Sequence, residues 1–144
     1  YFCCSDHRMF VEKSEKSYQK GFALNSTGLI GQVFKEHLNS YELILLSDTD
    51  HKIPIYNKDF EVYCNAQGSG FERLIICRSS KDLDKGSIIG QEFYTSGFGG
   101  VFNKDMPVGK AISFTQSENN EYEISIEIFA NPLTDERVFL FQSA

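Results

Sequence analysis

The segment from Gly86 to Ile112 holds Gly86, Gly90, Gly97, Gly99, Gly100 and Gly109, more than half of the chain's 11 glycines. Short apolar runs stand between them (Ile88-Ile89, Phe93-Tyr94, Val101-Phe102), and Met106-Pro107-Val108-Gly109 brings the pattern to a stop. Glycine weakens a helix or strand interior. Such density therefore implies a backbone bent through positive φ or pressed against another segment. Ser96-Gly97-Phe98-Gly99-Gly100 has the look of a phosphate-cradling loop. It lacks the Gly-Lys-Ser/Thr ending, and no helical pattern follows to supply a dipole. The reading preferred is a structural glycine corner, made by Gly97, Gly99, Gly100 and Gly109, joining strands of a small barrel.

The rest of the chain reads as strands. Residues 1–20 show no clear periodicity beyond a strand start at Phe10-Val11, and are taken as an N-terminal connector, loose or briefly helical from Glu12 to Lys20. From Gly21, two apolar stretches around the Asn25-Ser26-Thr27-Gly28 turn predict a hairpin. Tyr41 to Leu46 predicts a buried strand, and Pro54 demotes Ile53-Pro54-Ile55 to an edge or strand end. Lys58-Asp59 is the expected passage between two halves. Phe60–Asn65 and Phe71–Arg78 predict a hairpin turning at Gln67-Gly68-Ser69-Gly70, followed by a polar turn from Ser79 to Lys85. From Glu121 to Phe129, Tyr122, Ile124, Ile126 and Ile128 alternate with polar residues, the period of a half-buried strand. Asn131-Pro132 ends that strand, and Arg137 to Phe141 supplies a terminal one. About ten short strands and no long helix point to barrels or sandwiches.

At 144 residues the chain suffices for one domain or two very small ones. A net charge of −6 leaves no basic stripe to displace counterions from nucleic acid, and disfavours an anionic membrane surface. No run of about 18 apolar residues is present to span a bilayer. Of the four cysteines, Cys3 and Cys4 are adjacent. Cys64 and Cys77 flank the predicted hairpin, but a turn centred near 68–69 sets Cys64 against Arg73. Buried free thiols are the expectation for this pair. Cys3, Cys4 and His7 find no fourth ligand at a zinc-like spacing, and Asp48 and Asp50 open no calcium loop, so neither metal nor cofactor is expected.

Several motifs together resemble one family. Thr95-Ser96-Gly97 through Gly100, followed by Met106-Pro107-Val108-Gly109, resembles the C-terminal signature of the rod shape-determining protein MreC family. Gly28-Leu29-Ile30-Gly31-Gln32-Val33 is similar to its early glycine-bounded strand, and Leu43 to Asp48 with Ile53-Pro54-Ile55 to its next pair. The likeness runs from about Asn25 to Leu140; Asn103 stands where the family often has proline, and the first 20 residues diverge. The resemblance implies an all-β fold of two small six-stranded β-barrels packed side by side, with little helix. The first barrel would span residues 21–57, with 130–144 available to complete it, and the second 58–129. It further implies a non-enzymatic scaffold at the periplasmic face of the cytoplasmic membrane, anchored by an N-terminal helix outside this sequence. Its partners would be the penicillin-binding transpeptidase of elongation, MreD, RodA and MreB, with self-association and no nucleic acid.

Two other function classes need weighing. Paired six-stranded barrels also build chymotrypsin-like proteases, and His37, then Asp48 or Asp59, then Ser69 or Ser96 imitates their residue order. Neither serine lies in a context that would form an oxyanion hole, so no catalytic residue is assigned. A small-ligand sensor needs polar groups converging on an apolar wall, and no stretch supplies them. For a partner surface built on aromatic anchors, Phe71 with Arg73 at the 68–70 turn, Tyr63 across the hairpin, and Tyr122 at the wet end of its stripe are the candidates.

Overall fold

The computed structural model describes residues 2–5, 7–13, 20–80, 83, 85–116, 121–131 and 138–142, with 2–5 and 85 described by backbone alone. The strands are β1 (Phe2–Ser5), β2 (Arg8–Glu12), β3 (Gly21–Asn25), β4 (Gly28–Glu36), β5 (Ser40–Leu45) and β6 (Lys52–Asn57). They continue as β7 (Val62–Gly68), β8 (Leu74–Ser79), β9 (Glu92–Thr95), β10 (Pro107–Gln116), β11 (Tyr122–Ile128) and β12 (Phe139–Gln142). Among the described residues the one helix, α1 (Lys85–Ile88), is four residues long, and no helix is long and apolar enough to cross a membrane.

Six strands close into a barrel in the order β10-β11-β8-β7-β6-β9. The period-two stripe makes its seam: Ile124, Ile126 and Ile128 are buried on β11, and Ile126 pairs with Ile75 on one side and Ala111 on the other. The remaining five N-terminal strands form an open sheet, to which β12 adds a sixth beside β3, giving the order β1-β2-β5-β4-β3-β12. So one barrel closes where two were expected. β1 and β12 lie at opposite ends of the second ladder and are four residues each, short edges that resist further pairing.

Boundaries differ from the sequence reading as well. Residues 1–20, taken as a connector, contribute β1 and β2, the latter paired with β5 from Arg8↔Ile44 to Glu12↔Ser40; residues 14–19 lie outside the described ones. β6 belongs to the closed barrel rather than to the first unit, so the passage between units is the 46–51 segment, and Lys58-Asp59 lies in the β6–β7 turn. Pro54 sits within a strand paired on both sides. The β9 ladder covers only Ile55 and Tyr56, so its missing N–H breaks no bond there, and its carbonyl accepts from the Ser96 amide at 3.0 Å. The polar turn and the start of the terminal strand fall partly on residues 81, 82, 84 and 132–137, outside the described ones.

The β7–β8 hairpin corrects the cysteine expectation. Its ladder pairs Gln67↔Ile76 and Gly68↔Ile75, which moves the turn centre toward 71–72 and leaves Gly68 inside the strand. That register carries Cys77 to the level of Ala66, two residues from Cys64, and at 5.8 Å (Cα–Cα), beyond the paired part of the ladder, the two cysteines form a disulfide rather than free thiols. One continuous core joins sheet and barrel: Phe22 on β3 packs against Phe102 from the glycine segment, ring centres 5.7 Å apart.

Candidate docking groove

The outer face of the barrel carries an aromatic strip. Tyr56 and Tyr63 are a direct cross-strand pair between β6 and β7, stacked at 5.5 Å with an interplanar angle of 11°. Phe98, from the loop between β9 and β10, also stacks on Tyr63, at 6.1 Å with an interplanar angle of 28°. Tyr63 is 57% exposed and Phe98 64% exposed, so the strip presents two large rings to solvent.

The loop's glycines place Phe98. Gly97, Gly99 and Gly100 have φ of 83°, 82° and 73°, a region that side-chain-bearing residues seldom enter. Gly97 has a second constraint, since a Cβ there would stand 3.1 Å from Cβ of Lys104. Gly109 is different in kind: it is extended, and a Cβ would lie 2.3 Å from the Glu127 carbonyl oxygen in β11. Fully buried Thr95 ties the loop's base. Its backbone N–H donates to the Met106 carbonyl, its carbonyl accepts from the Asp105 amide, and its hydroxyl donates to the Asn103 carbonyl while accepting from the Met106 amide. From this base the loop sends Phe102 inward, against Phe22 and the edge of the His51 ring, and Phe98 outward. The Tyr56 hydroxyl donates to Asp105, an ionised acceptor that pushes the phenol up to about 12.

Together these residues wall a cleft of about 540 Å³ between sheet and barrel, with Pro54, Tyr63, Phe98 and Val101 as apolar walls and Gln32 and Lys52 on its polar side. Open aromatic walls with a polar rim suit a protein segment. Phe98 was not among the sequence candidates. The signal was available, because an aromatic flanked by glycines in a loop has no strand neighbours to cover it.

The other candidates scatter. Phe71 is 71% exposed at the tip of the β7–β8 turn, but Tyr63 lies five residues before Gly68, about 17 Å along β7. The expected Tyr63–Phe71 cluster does not form, because the turn is longer than the glycines suggested. Arg73, at φ 58°, turns its guanidinium inward and donates from Nη2 to the carbonyls of Ile128 (2.9 Å) and Phe129 (3.3 Å). Tyr122 is half-buried and stacked on Phe114 at 5.0 Å.

Nor do the protease-order residues meet. His37 bonds Glu42 at 3.0 Å on the open sheet. Asp48 accepts from Arg8 Nε at 2.9 Å and from the Asp50 amide, while Asp59 lies in the β6–β7 turn. The Ser69 hydroxyl donates to the Leu74 carbonyl at 2.7 Å, and Ser96 Oγ accepts from the Phe98 amide. Arg8, also bonded to Glu42 at 3.0 Å and lying 4.1 Å over the Phe34 ring, links β2, β4, β5 and the passage between units. Its guanidinium and His37 hold the Glu42 carboxyl below the usual range, the His37 hydrogen bond being the larger cause. His7 Nδ1 lies 2.7 Å from Ser47 Oγ, while the side chains of Cys3 and Cys4 lie outside the described residues. Among the described residues, no three His, Cys, Asp or Glu side chains gather as a metal site requires.

The family model "Rod shape-determining protein MreC, barrel core" matches residues 10–142. The cell shape-determining protein MreC of Haemophilus influenzae is 28% identical over 124 residues, covering 84% of this chain. The chain spans about a third of that relative's length, 33%. Two solved structures share the fold. The major periplasmic domain from the cell shape-determining filament MreC superposes with a TM-score of 0.75 at 21% identity, over 98% of this chain and 89% of that one. MreC in its complex with penicillin-binding protein PBP2 from Helicobacter pylori superposes with a TM-score of 0.71 at 15% identity, over 94% and 87%. With nearly the whole chain under the family model, this protein belongs to the rod shape-determining MreC family, of which it carries the barrel core.

Proposed function

We propose that this chain is the periplasmic barrel core of a non-enzymatic cell-shape scaffold, and that its Tyr63–Phe98 groove docks the elongation-specific penicillin-binding transpeptidase. The observation that carries the reading is the exposed stack of Tyr63 and Phe98 beside a cleft, because large rigid rings at a concave site are the usual anchors of a protein interface. Support for the partner comes from the Helicobacter pylori relative, whose structure is a complex with PBP2. Support for the compartment comes from the relative described as a periplasmic domain. On this reading, MreD, RodA and MreB act with the full-length protein, which an N-terminal helix holds at the membrane and which self-associates.

Binding of the chain to the periplasmic part of the PBP2 from the same organism, followed by biolayer interferometry, tests the proposal. Saturable binding that weakens about tenfold or more in the doubly substituted Tyr63→Ala, Phe98→Ala protein is the expected result. Binding that is unchanged by the double substitution would move the docking site off this groove. The non-enzymatic part is tested separately: a fluorophosphonate probe should label none of the serines.

A further inference from the structure

We infer that the Cys64–Cys77 disulfide is an exchangeable redox clamp on the strand that carries Tyr63. Four observations support it. First, the β7–β8 ladder is the barrel's thin seam on this side, with only Gln67↔Ile76 and Gly68↔Ile75 paired. The flanking β6–β7 and β8–β11 ladders each run for six pairs. Second, the disulfide crosses that seam where the hydrogen bonds have ended, so it replaces the missing ladder as the tie between the strands. Third, Cys64 is the chain neighbour of Tyr63 and lies opposite Ile55, so whatever holds Cys64 also sets the groove wall. Fourth, the two cysteines differ in burial as residues: Cys77 is fully buried, whereas Cys64 is half-buried and is among the residues that line the cleft.

That asymmetry fixes the route of exchange, since a thiolate attacks the disulfide sulfur it can reach. In forming the clamp, the Cys64 thiolate attacks the disulfide of a thiol–disulfide oxidoreductase, releasing one of its sulfurs as a thiolate. The Cys77 thiolate then attacks Cys64 Sγ in the mixed disulfide and expels the oxidoreductase's second sulfur. Two electrons and two protons leave the chain, and the oxidoreductase ends as a dithiol. Reduction runs the same path backward, with an incoming thiolate on Cys64 and Cys77 as the leaving group. An oxidising compartment keeps the clamp closed. The consequence for partner affinity rests on the docking reading above; the clamp itself does not.

The test combines two measurements on the whole chain. Glutathione disulfide is offered to the Cys77→Ala and Cys64→Ala proteins, and peptide mass mapping follows the adduct over time, separating Cys64 or Cys77 from Cys3 and Cys4. The adduct should form on Cys64 at least tenfold faster than on Cys77; equal rates would overturn the assigned route. Hydrogen exchange is then compared between oxidised wild type and wild type reduced with a phosphine, which needs no variant to fold. Amides of residues 62–66 should exchange tenfold faster or more after reduction, while the β10–β11 ladder keeps its protection. Unchanged exchange at 62–66, or equal loosening of both regions, would overturn the clamp. A reduced protein that loosens at β7 while neither redox form binds PBP2 supports the clamp and refutes the docking reading.

Discussion

Gly68 runs so close to Asp48 that a Cβ on the glycine would stand 2.0 Å from the Asp48 carbonyl oxygen and 2.5 Å from its carbonyl carbon. The contact fastens the barrel strand β7 to the passage between sheet and barrel, and hydrogen bonds reinforce it: the Gly68 amide donates to the His51 carbonyl at 3.1 Å, and the Gly70 amide to Ser47 at 2.9 Å. Both sides are backbone, so no side chain can swing away to make room. Gly68→Ala should therefore destabilise by about 3 kcal/mol, the upper range for overpacking a close contact. Gly99 gives the contrast. It has φ 82° and open space around it, so Gly99→Ala should cost only the left-handed penalty of about 1 kcal/mol. Denaturant midpoints at constant slope measure both, and equal costs would remove the distinction between close approach and backbone conformation.

His51 makes stability depend on mild acid. The ring is buried at the same junction, with Nε2 3.0 Å from Gln32 Oε1 and Nδ1 without a partner. Burial pushes its pKa down from 6.5 to about 4, against the opposing pull of Asp48. Above pH 6.5 the ring is neutral both folded and unfolded, and contributes no pH dependence. Between pH 6.5 and 4 the unfolded chain takes up a proton that the folded one refuses, so stability falls as pH falls, by about 3 kcal/mol at most. Urea unfolding at pH 7, 6, 5 and 4.5 should show this decline. His51→Gln should flatten it over that window, leaving the carboxylate contribution of Glu42, whose lowered pKa acts below 4.5.

How much of this was legible in the sequence depends on whether a residue's role is local. The β11 stripe was readable because its period alone decides which face is wet. The glycine corner was readable as a non-regular backbone for the same kind of reason. Gly68 was not: a turn glycine and a close-approach glycine look identical in sequence, and the second role depends on Asp48, 20 residues away. Misplacing that turn then misplaced Cys77 and Phe71 together. Pro54 misled because its edge preference assumes a full ladder on both sides, and β9 pairs with only two residues of β6. The groove was half legible. Tyr63 was a candidate as the neighbour of Phe71 across the hairpin, a contact that does not form, and its stacking on Phe98 depends on where the glycine loop folds back.

Arg73 should prove structural rather than recognitive. Its guanidinium caps the last two carbonyls of the β11 end, Ile128 and Phe129, and its Nε is buried without a partner. Arg73→Ala should lose about 1–2 kcal/mol of stability through the uncapped carbonyls. Arg73→Lys should restore only part of this, since an ammonium cannot place donors as the planar fork does. Partner affinity should be the same for both variants at temperatures where they are folded. A drop in affinity without a drop in stability would return Arg73 to the interface.

The aromatic candidates should separate along one line, the ratio of binding loss to stability loss. Tyr122 stacks on Phe114 and is half-buried, so Tyr122→Ala should cost about 2–3 kcal/mol of stability and leave affinity unchanged when the protein is folded. Phe98 has the opposite setting. It projects from a glycine loop, touches Tyr63 on one face and is largely in water, so Phe98→Ala should cost less than about 1 kcal/mol of stability. If it anchors the transpeptidase, its truncation should weaken binding by about 1–2 kcal/mol, roughly tenfold. Tyr63 falls between, because it also stacks on Tyr56, and should lose about 1 kcal/mol in each measurement. Phe71 is the control: exposed and remote from the groove, its alanine variant should change neither. Should Phe71→Ala weaken binding while Phe98→Ala does not, the docking face lies at the β7–β8 turn and not at the groove.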